Sequence, residues 1–262
     1  MRVLTLIKQV PATTSVEMDK EKGTLMRAGA KGKLNPFDLF AIETALELKA
    51  RFSGEVITLS MGPIAAVDSL REAIYMGVDE AFLISDAHFA GSDVLATSRT
   101  LAEGVKYIGD YDLIICGKQT TDGDTAQVGA ETAEWLGIPH MNNVVSKDSL
   151  LKKEIIVTVE TEEEISTVKM PLPCLICVDK DINSPRLPSY LRKKKYKDKE
   201  IKVLTLVDFS ITDPHLYGSD GSPTQVVKIF EPDNTSKSER IEGTPEDVSM
   251  RLVTALREER LV

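Results

Sequence analysis

Short apolar runs alternate with segments of helical period from the first residue onward, and this alternation restricts the fold of the chain more than any other feature. Strand-length runs joined through helices pair parallel, with helices covering the faces of the resulting sheet. The expected order is a strand over residues 3–10, a polar hairpin-like excursion, and a helix opened by Asn35-Pro36, carried through Leu39, Ile42, Leu46 and Leu48, and closed by Ser53-Gly54. A strand over 55–60 and a helix over about 64–76 follow, the helix stopping at Gly77 in a left-handed cap. Next come a strand over 81–84, a helix capped by Ser92 or Asp93, a strand over 111–116 and a helix over about 126–136. From 152 to 170 the period falls to two around Thr161-Glu-Glu-Glu164, which predicts a β-hairpin with an acidic turn, and 174–179 reads as a buried strand. The expected fold class is therefore α/β, doubly wound, with a mainly parallel sheet, a β-hairpin and an extended C-terminal arm.

With 262 residues, 42% of them hydrophobic, the chain can bury one large core and still carry an appendage. The predicted division is an α/β domain over 1–191 and an arm over 192–262. That arm is Lys-rich, then irregular, then helical after Thr244-Pro-Glu-Asp247, and its scarcity of core residues predicts that it lies on a partner. The net charge of −9 argues against a grip on nucleic acid. No apolar run approaches the roughly 20 residues that cross a bilayer, and Arg2-Val-Leu-Thr-Leu-Ile7 is too short for a signal-peptide core, so a cytoplasmic protein is expected.

Cys174 and Cys177 form Cys-Leu-Ile-Cys within a strand, where positions three apart point to opposite faces; a structural role outweighs a redox pair. His88, His140 and His215 lack partners at ligand spacing, so no metal site is expected. Trp135 reads as core, and Glu43 and Glu47, like charges four apart on the first helix, read as exposed.

The loop Gly117-Lys-Gln-Thr-Thr-Asp-Gly-Asp-Thr125 follows the strand ending at Cys116, and open parallel sheets bind ligands beyond the carboxyl ends of their strands. Gly117 permits close backbone approach, Gly123 a positive φ, and the amides leading into the helix near Ala126 can receive an anion. Thr120, Thr121 and Thr125 add hydroxyls, while Lys118 points either to the ligand or to solvent. Asp122 and Asp124 would repel a phosphate unless they cap amides or bind ribose hydroxyls; capping is favoured for Asp124. An ordinary connection of Gly, Thr and Asp explains the loop equally well, since the spacings of a Walker loop and of Gly-x-Gly-x-x-Gly are absent.

Four segments in order, Arg2-Val-Leu-Thr-Leu-Ile-Lys-Gln-Val10, Asn35-Pro-Phe-Asp38, Gly117 through Gly129, and Asn183-Ser-Pro-Arg186 with its Lys-rich sequel, resemble the β subunit of electron transfer flavoproteins over nearly the whole chain. The resemblance implies an adenine nucleotide alpha hydrolase-like fold and a heterodimer with a flavin-bearing α subunit. It also implies a nucleotide site built from Leu6, Asn35, Pro36, Phe37, Asp38, Met61 and the loop Gly117, Lys118, Gln119, Thr120, Thr121, Asp122, Gly123, Asp124, Thr125, Ala126, Gln127 and Val128. Conventional members hold AMP there. The segments Thr121 to Gly129 and Gly91 to Ser98 are similar to the electron-bifurcating subgroup, which implies FAD instead, with Thr97 and Ser98 near its flavin.

That subgroup implies NADH as the hydride donor, with electrons divided between a ferredoxin or flavodoxin and the α-subunit flavin that serves a dehydrogenase of acyl-CoA or hydroxy-acid type. The flavin carries the chemistry, so no catalytic acid, base or nucleophile is assigned. By the same resemblance Tyr190 and Leu191 are the anchors that dock the dehydrogenase. AMP bound as a structural ligand is the alternative, and a non-redox adenine-nucleotide sensor a remote one.

Overall fold

The computed structural model describes residues 1–12, 18–19, 24–25, 32–151, 153–225, 227, 238 and 240–262. In chain order these form strands β1 (Arg2–Ile7), β2 (Gln9–Pro11), β3 (Met18–Asp19), β4 (Thr24–Leu25) and β5 (Gly32–Leu34), helix α1 (Pro36–Phe52), strand β6 (Glu55–Met61), helix α2 (Val67–Met76), strand β7 (Glu80–Ile84), helix α3 (Val94–Ile108), strand β8 (Leu113–Gly117) and helix α4 (Val128–Leu136). Strands β9 (His140–Leu150), β10 (Glu154–Glu160), β11 (Ile165–Pro171) and β12 (Cys174–Val178) follow, then helix α5 (Tyr190–Tyr196), strand β13 (Lys202–Leu204) and helix α6 (Pro245–Glu258).

Nine strands make the main sheet in the order β11-β10-β9-β12-β8-β1-β6-β7-β13. From β9 to β13 every pairing is parallel, whereas β9, β10 and β11 pair antiparallel. Strands with water on neither face read as unbroken apolar runs, as Leu113-Ile-Ile-Cys116 does. Their alternate side chains feed two cores. Val3, Leu113, Ile115, Cys174 and Ile176 pack with α1 and α2 on one face, while Leu4, Ile114, Cys116, Leu175 and Cys177 pack with α3 and α4 on the other. Cys174 and Cys177 therefore do face opposite ways, and the fold is the expected doubly wound α/β sheet.

Several boundaries differ from the sequence pattern. The first strand stops at Ile7, and Gln9–Pro11 turns off to pair with Gly32–Leu34. Within the polar excursion Met18–Asp19 pairs antiparallel with Thr24–Leu25; residues 13–17, 20–23 and 26–31, like Lys152 at the start of the expected hairpin, lie outside the described ones. Gly77 closes α2 with φ 145°, while Ser53, not Gly54, takes the left-handed position after α1 at φ 51°. Of the two candidate caps of α3, Asp93 is the one used, its carboxylate accepting the Ala96 N–H at 3.0 Å.

Glu43 is not exposed. It is only 5% accessible and receives Arg186 through two guanidinium bonds of 2.8 Å and the backbone N–H at 3.0 Å. This clamp fixes the chain leaving β12 against α1.

Two compact units result, residues 1–227 and 228–262. Within the first, residues after 191 add β13 to the sheet edge beside β7, and Phe209 and Tyr217 meet Phe89 with ring centroids 5.3 and 5.6 Å apart. The second holds α6, opened by Thr244, whose hydroxyl accepts the Asp247 N–H at 3.3 Å, and leaves Met250, Leu252 and Val253 exposed.

Candidate functional site

From β1 the chain winds outward through β6 and β7, then returns to lay β8 on the other side of β1. The carboxyl ends of β1 and β8 therefore flank the crevice where winding reverses, and the loop after Gly117 lies at its mouth.

Three side chains hold that loop. Asn35, fully buried, is fixed by its own N–H to Lys8 O at 2.9 Å. Its Nδ2 donates to Gln119 O at 2.9 Å and its Oδ1 accepts the Thr121 N–H at 3.3 Å, so it anchors the loop rather than capping α1, which Pro36 opens. Lys8 Nζ lies 2.8 Å from each oxygen of Asp122. Lys118 neither points into the crevice nor to open solvent: its Nζ donates to Asp179 Oδ2 at 2.9 Å, just beyond β12. Burial alone would raise the carboxyls of Asp122 and Asp179, but the ammonium groups beside them hold both below the usual range.

Gly117 is required by its neighbours. A Cβ there would lie 2.5 Å from Asp38 Oδ1 and 2.7 Å from the Phe37 carbonyl carbon, so the first turn of α1 can approach β8 this closely only past a glycine. Asp38 accepts the Lys8 N–H at 2.7 Å and the Gly117 N–H. Burial nonetheless pushes its carboxyl up to about 7, outweighing those two bonds and the Asn35 side chain.

Two expectations about the turn are corrected. Gly123 does not take a positive φ; Asp124 at 51° and Ala126 at 55° do. Asp124 does not cap α4, because its Oδ1 accepts Gln119 Nε2 at 2.5 Å, and Gln127, the residue before α4, makes no side-chain cap bond either. The first amides of α4 thus face the crevice mouth without a side-chain acceptor, the arrangement that receives anions. Thr120 Oγ1 accepts the Gly123 N–H at 3.4 Å, and Thr121, Thr125 and Gln127 are exposed.

The remaining predicted residues divide. Met61 and Val128 are half-buried at the ends of their elements, whereas Leu6 is buried in the core shared with Cys116. Thr97 is half-buried on α3. Ser98 is fully buried in the α3–α4 seam, its Oγ 3.0 Å from Glu131 Oε2 and accepting the Trp135 Nε1–H at 3.2 Å. Trp135 is not core: it is 36% exposed, with the Arg99 guanidinium 4.3 Å from its ring centre. Tyr190 and Leu191 are each 77% exposed on α5, which Arg192 ties to the end of α2 by bonds to Ile74 O at 2.9 Å and Val78 O at 3.1 Å. Sequence reasoning missed Lys8 and Asp179. Both stand just past the carboxyl ends of parallel strands, the position that singled out Gly117.

Fold and crevice together define a doubly wound α/β protein of the class that places ligands at its switch point. Within that class the chain belongs to the electron transfer flavoprotein family, on the side of the β subunits: residues 22–208 match the electron transfer flavoprotein domain. Over the full length of both chains it is 39% identical to the caffeyl-CoA reductase-Etf complex subunit CarD of Acetobacterium woodii. It is 42% identical to the electron transfer flavoprotein subunit beta of Megasphaera elsdenii over 90% of this chain and 89% of that one. Protein FixA of Sinorhizobium fredii is 37% identical over 98% of this chain and 93% of its own.

Proposed function

We propose that this chain is the FAD-binding β subunit of a heterodimeric electron transfer flavoprotein that works by flavin-based electron bifurcation. The complex would oxidise NADH and divide the electrons between a ferredoxin or flavodoxin and the flavin of an α subunit, which serves an acyl-CoA or hydroxy-acid dehydrogenase. The bound FAD would supply hydride acceptance and electron transfer; the chain binds, orients and shields it.

The observation that carries this reading is the crevice mouth, where the acids of the loop are paired or turned within the chain while the opening amides of α4 have no side-chain acceptor. That donor set suits a diphosphate, whose charge backbone amides and the helix dipole favour. Gly123 supports FAD over AMP. Its φ lies outside the left-handed region and a Cβ would meet only Thr120 Oγ1 at 3.4 Å, so the fold itself does not require glycine there. Room for a second phosphate, free of an added carboxylate, is a reason that remains. The resemblance of Gly91 to Ser98 to the bifurcating subgroup points the same way, and a relative named as a subunit of a caffeyl-CoA reductase-Etf complex favours an acyl-CoA enzyme as the partner.

The exposed Tyr190 and Leu191, beside the basic run from Arg192 to Lys199, are the proposed dehydrogenase-docking anchors. The test is to count nucleotides in the purified heterodimer. Two FAD per heterodimer are expected; one FAD with one AMP would replace this reading with that of a conventional carrier whose AMP is structural.

A further inference from the structure

Near the end of the first unit the chain returns to the loop that opens α3. The two backbones meet closely: a Cβ on Gly218 would have no room beside His88 O, and the Ser219 N–H donates to Ala90 O at 3.0 Å. Asp93 then gathers the residues that follow. Its N–H donates to the Ser222 hydroxyl at 2.8 Å, and Ser222 in turn donates to Gly218 O at 2.6 Å. The Asp93 carboxylate divides between two elements. Oδ1 accepts the Ala96 N–H at 3.0 Å and so caps α3, while Oδ2 accepts the N–H and the hydroxyl of Thr224 at 3.1 and 2.6 Å. A helix cap needs only the first of these bonds. The second oxygen is given to a residue 131 positions away.

From the first turns of α3 the connection continues into α4. Ser98, fully buried, reaches Leu95 O at 2.9 Å and Glu131 Oε2 at 3.0 Å, and accepts the Trp135 Nε1–H at 3.2 Å. Glu131 and Trp135 belong to α4, whose opening amides face the crevice mouth. The set of α3 thus bears on the helix end where a phosphate is proposed to lie.

We infer that Asp93 is a positioning residue of that site: one carboxylate caps α3 and pins Thr224, and so makes the set of α3 and α4 depend on the seating of residues 222–224. The inference deepens the proposed nucleotide binding and rests on that reading for its ligand, but the link from Thr224 to Trp135 belongs to the chain alone. With Thr224 seated, two donors orient the carboxylate toward α3 through bonds strengthened by its charge. With Thr224 released, the side chain is free to turn to water and the cap weakens. Such coupling is reciprocal, so a nucleotide held by α4 tightens the seating of Thr224 in turn.

The experiment uses the full-length protein, AMP as the probe and Trp135, the only tryptophan in the chain, as the reporter. Thr224 is exposed, so its replacement empties no core. Thr224→Val removes the hydroxyl and keeps the shape. Hydrogen exchange at the Ala96 and Thr97 amides should quicken several-fold, Trp135 emission should shift, and AMP should bind about two- to fivefold more weakly. Thr224→Ser should restore all three. Asp93→Asn keeps an oxygen for Ala96 but turns an amide donor toward Thr224, so it should reproduce Thr224→Val, and combining the two should add little. In the reverse direction, AMP should slow exchange of the Thr224 amide in the wild type.

Unchanged α3 exchange and unchanged Trp135 emission in Thr224→Val would overturn the inference and leave Asp93 an ordinary cap. Quicker α3 exchange without a response from Trp135 or AMP would overturn it too, as would full additivity of the two substitutions. Changes in α3 and Trp135 in a protein whose wild type binds neither AMP nor FAD would refute the proposed nucleotide function while leaving the link from Thr224 to α4 intact.

Discussion

Arg186→Ala removes the guanidinium from a carboxylate that the fold has already taken out of water. Glu43 is 5% exposed and keeps only the Arg186 N–H at 3.0 Å once both 2.8 Å guanidinium bonds are gone. Breaking a buried pair by deleting one partner costs about 3–5 kcal/mol. Here the Arg186 side chain is 46% exposed, so water can enter beside Glu43, and the expected loss is about 2–3 kcal/mol. For a compact unit of this size that corresponds to a fall in Tm of about 5–10 °C.

The pH dependence follows from sign. Burial raises the Glu43 carboxyl, but Arg186 more than offsets it, leaving the pKa below 4.5. The wild-type pair therefore stabilises fully above that ordinary value, and its contribution fades only as pH falls through the lower folded value. In the variant burial is opposed only by the Arg186 N–H and the Lys147 charge, so the folded pKa rises and acid relieves the buried charge. The deficit measured by urea denaturation and circular dichroism should be largest near pH 7.5 and smaller at pH 5. Glu43→Gln combined with Arg186→Ala should recover part of it. A loss under about 0.5 kcal/mol, the range of ordinary surface changes, or an equal deficit at both pH values would refute the reasoning.

Gly117→Ala should destabilise by about 1–3 kcal/mol, because its Cβ meets Asp38 and the Phe37 backbone; the assay is the urea midpoint. Gly123→Ala should change stability by less than about 0.5 kcal/mol, since only Thr120 Oγ1 is near. Gly123→Asp should leave the melting of the nucleotide-free protein unchanged yet lower the flavin retained on purification, and full retention would argue against a diphosphate at this turn. Asn35→Ala orphans Gln119 O and the Thr121 N–H, and at about 1–3 kcal/mol for the lost restraint should weaken AMP or FAD binding roughly tenfold or more by calorimetry.

What the sequence revealed was short-range. Buried strands such as Leu113-Ile-Ile-Cys116 and the helices between them follow from the period of apolar residues, because that period is set by the local backbone. Strand β9 escaped notice because His140-Met-Asn-Asn143 has no apolar alternation, and Asn143 takes φ 55° where the pairing with β12 becomes irregular. Strand β13 is three residues long and is held by β7, not by a pattern of its own. Glu43 looked exposed by its spacing to Glu47; what buries it is Arg186, 143 positions away. The turn misled for a related reason. Glycine tolerates a positive φ, but Asp124 and Ala126 are the residues that adopt it, Asp124 with its N–H bonded to Thr120 O and its carboxylate to the Gln119 amide.

The same long-range pairing alters the chemistry expected of the loop. Read as a string, Lys118 offers an anion its charge and Asp122 and Asp124 repel it. Folded, Lys118 belongs to Asp179, Asp122 to Lys8, and Asp124 faces the Gln119 amide. With Lys118 and Asp122 paired and Asp124 turned onto an amide, the loop attracts a phosphate mainly through amide dipoles, hydroxyls and the end of α4, all of which act at contact range. Such a site discriminates by shape and hydrogen-bond geometry more than by net charge, and screening by salt weakens it little. Nucleotide affinity nearly constant between low and moderate salt is the expected result, in a protein whose net charge of −9 would otherwise repel its ligand.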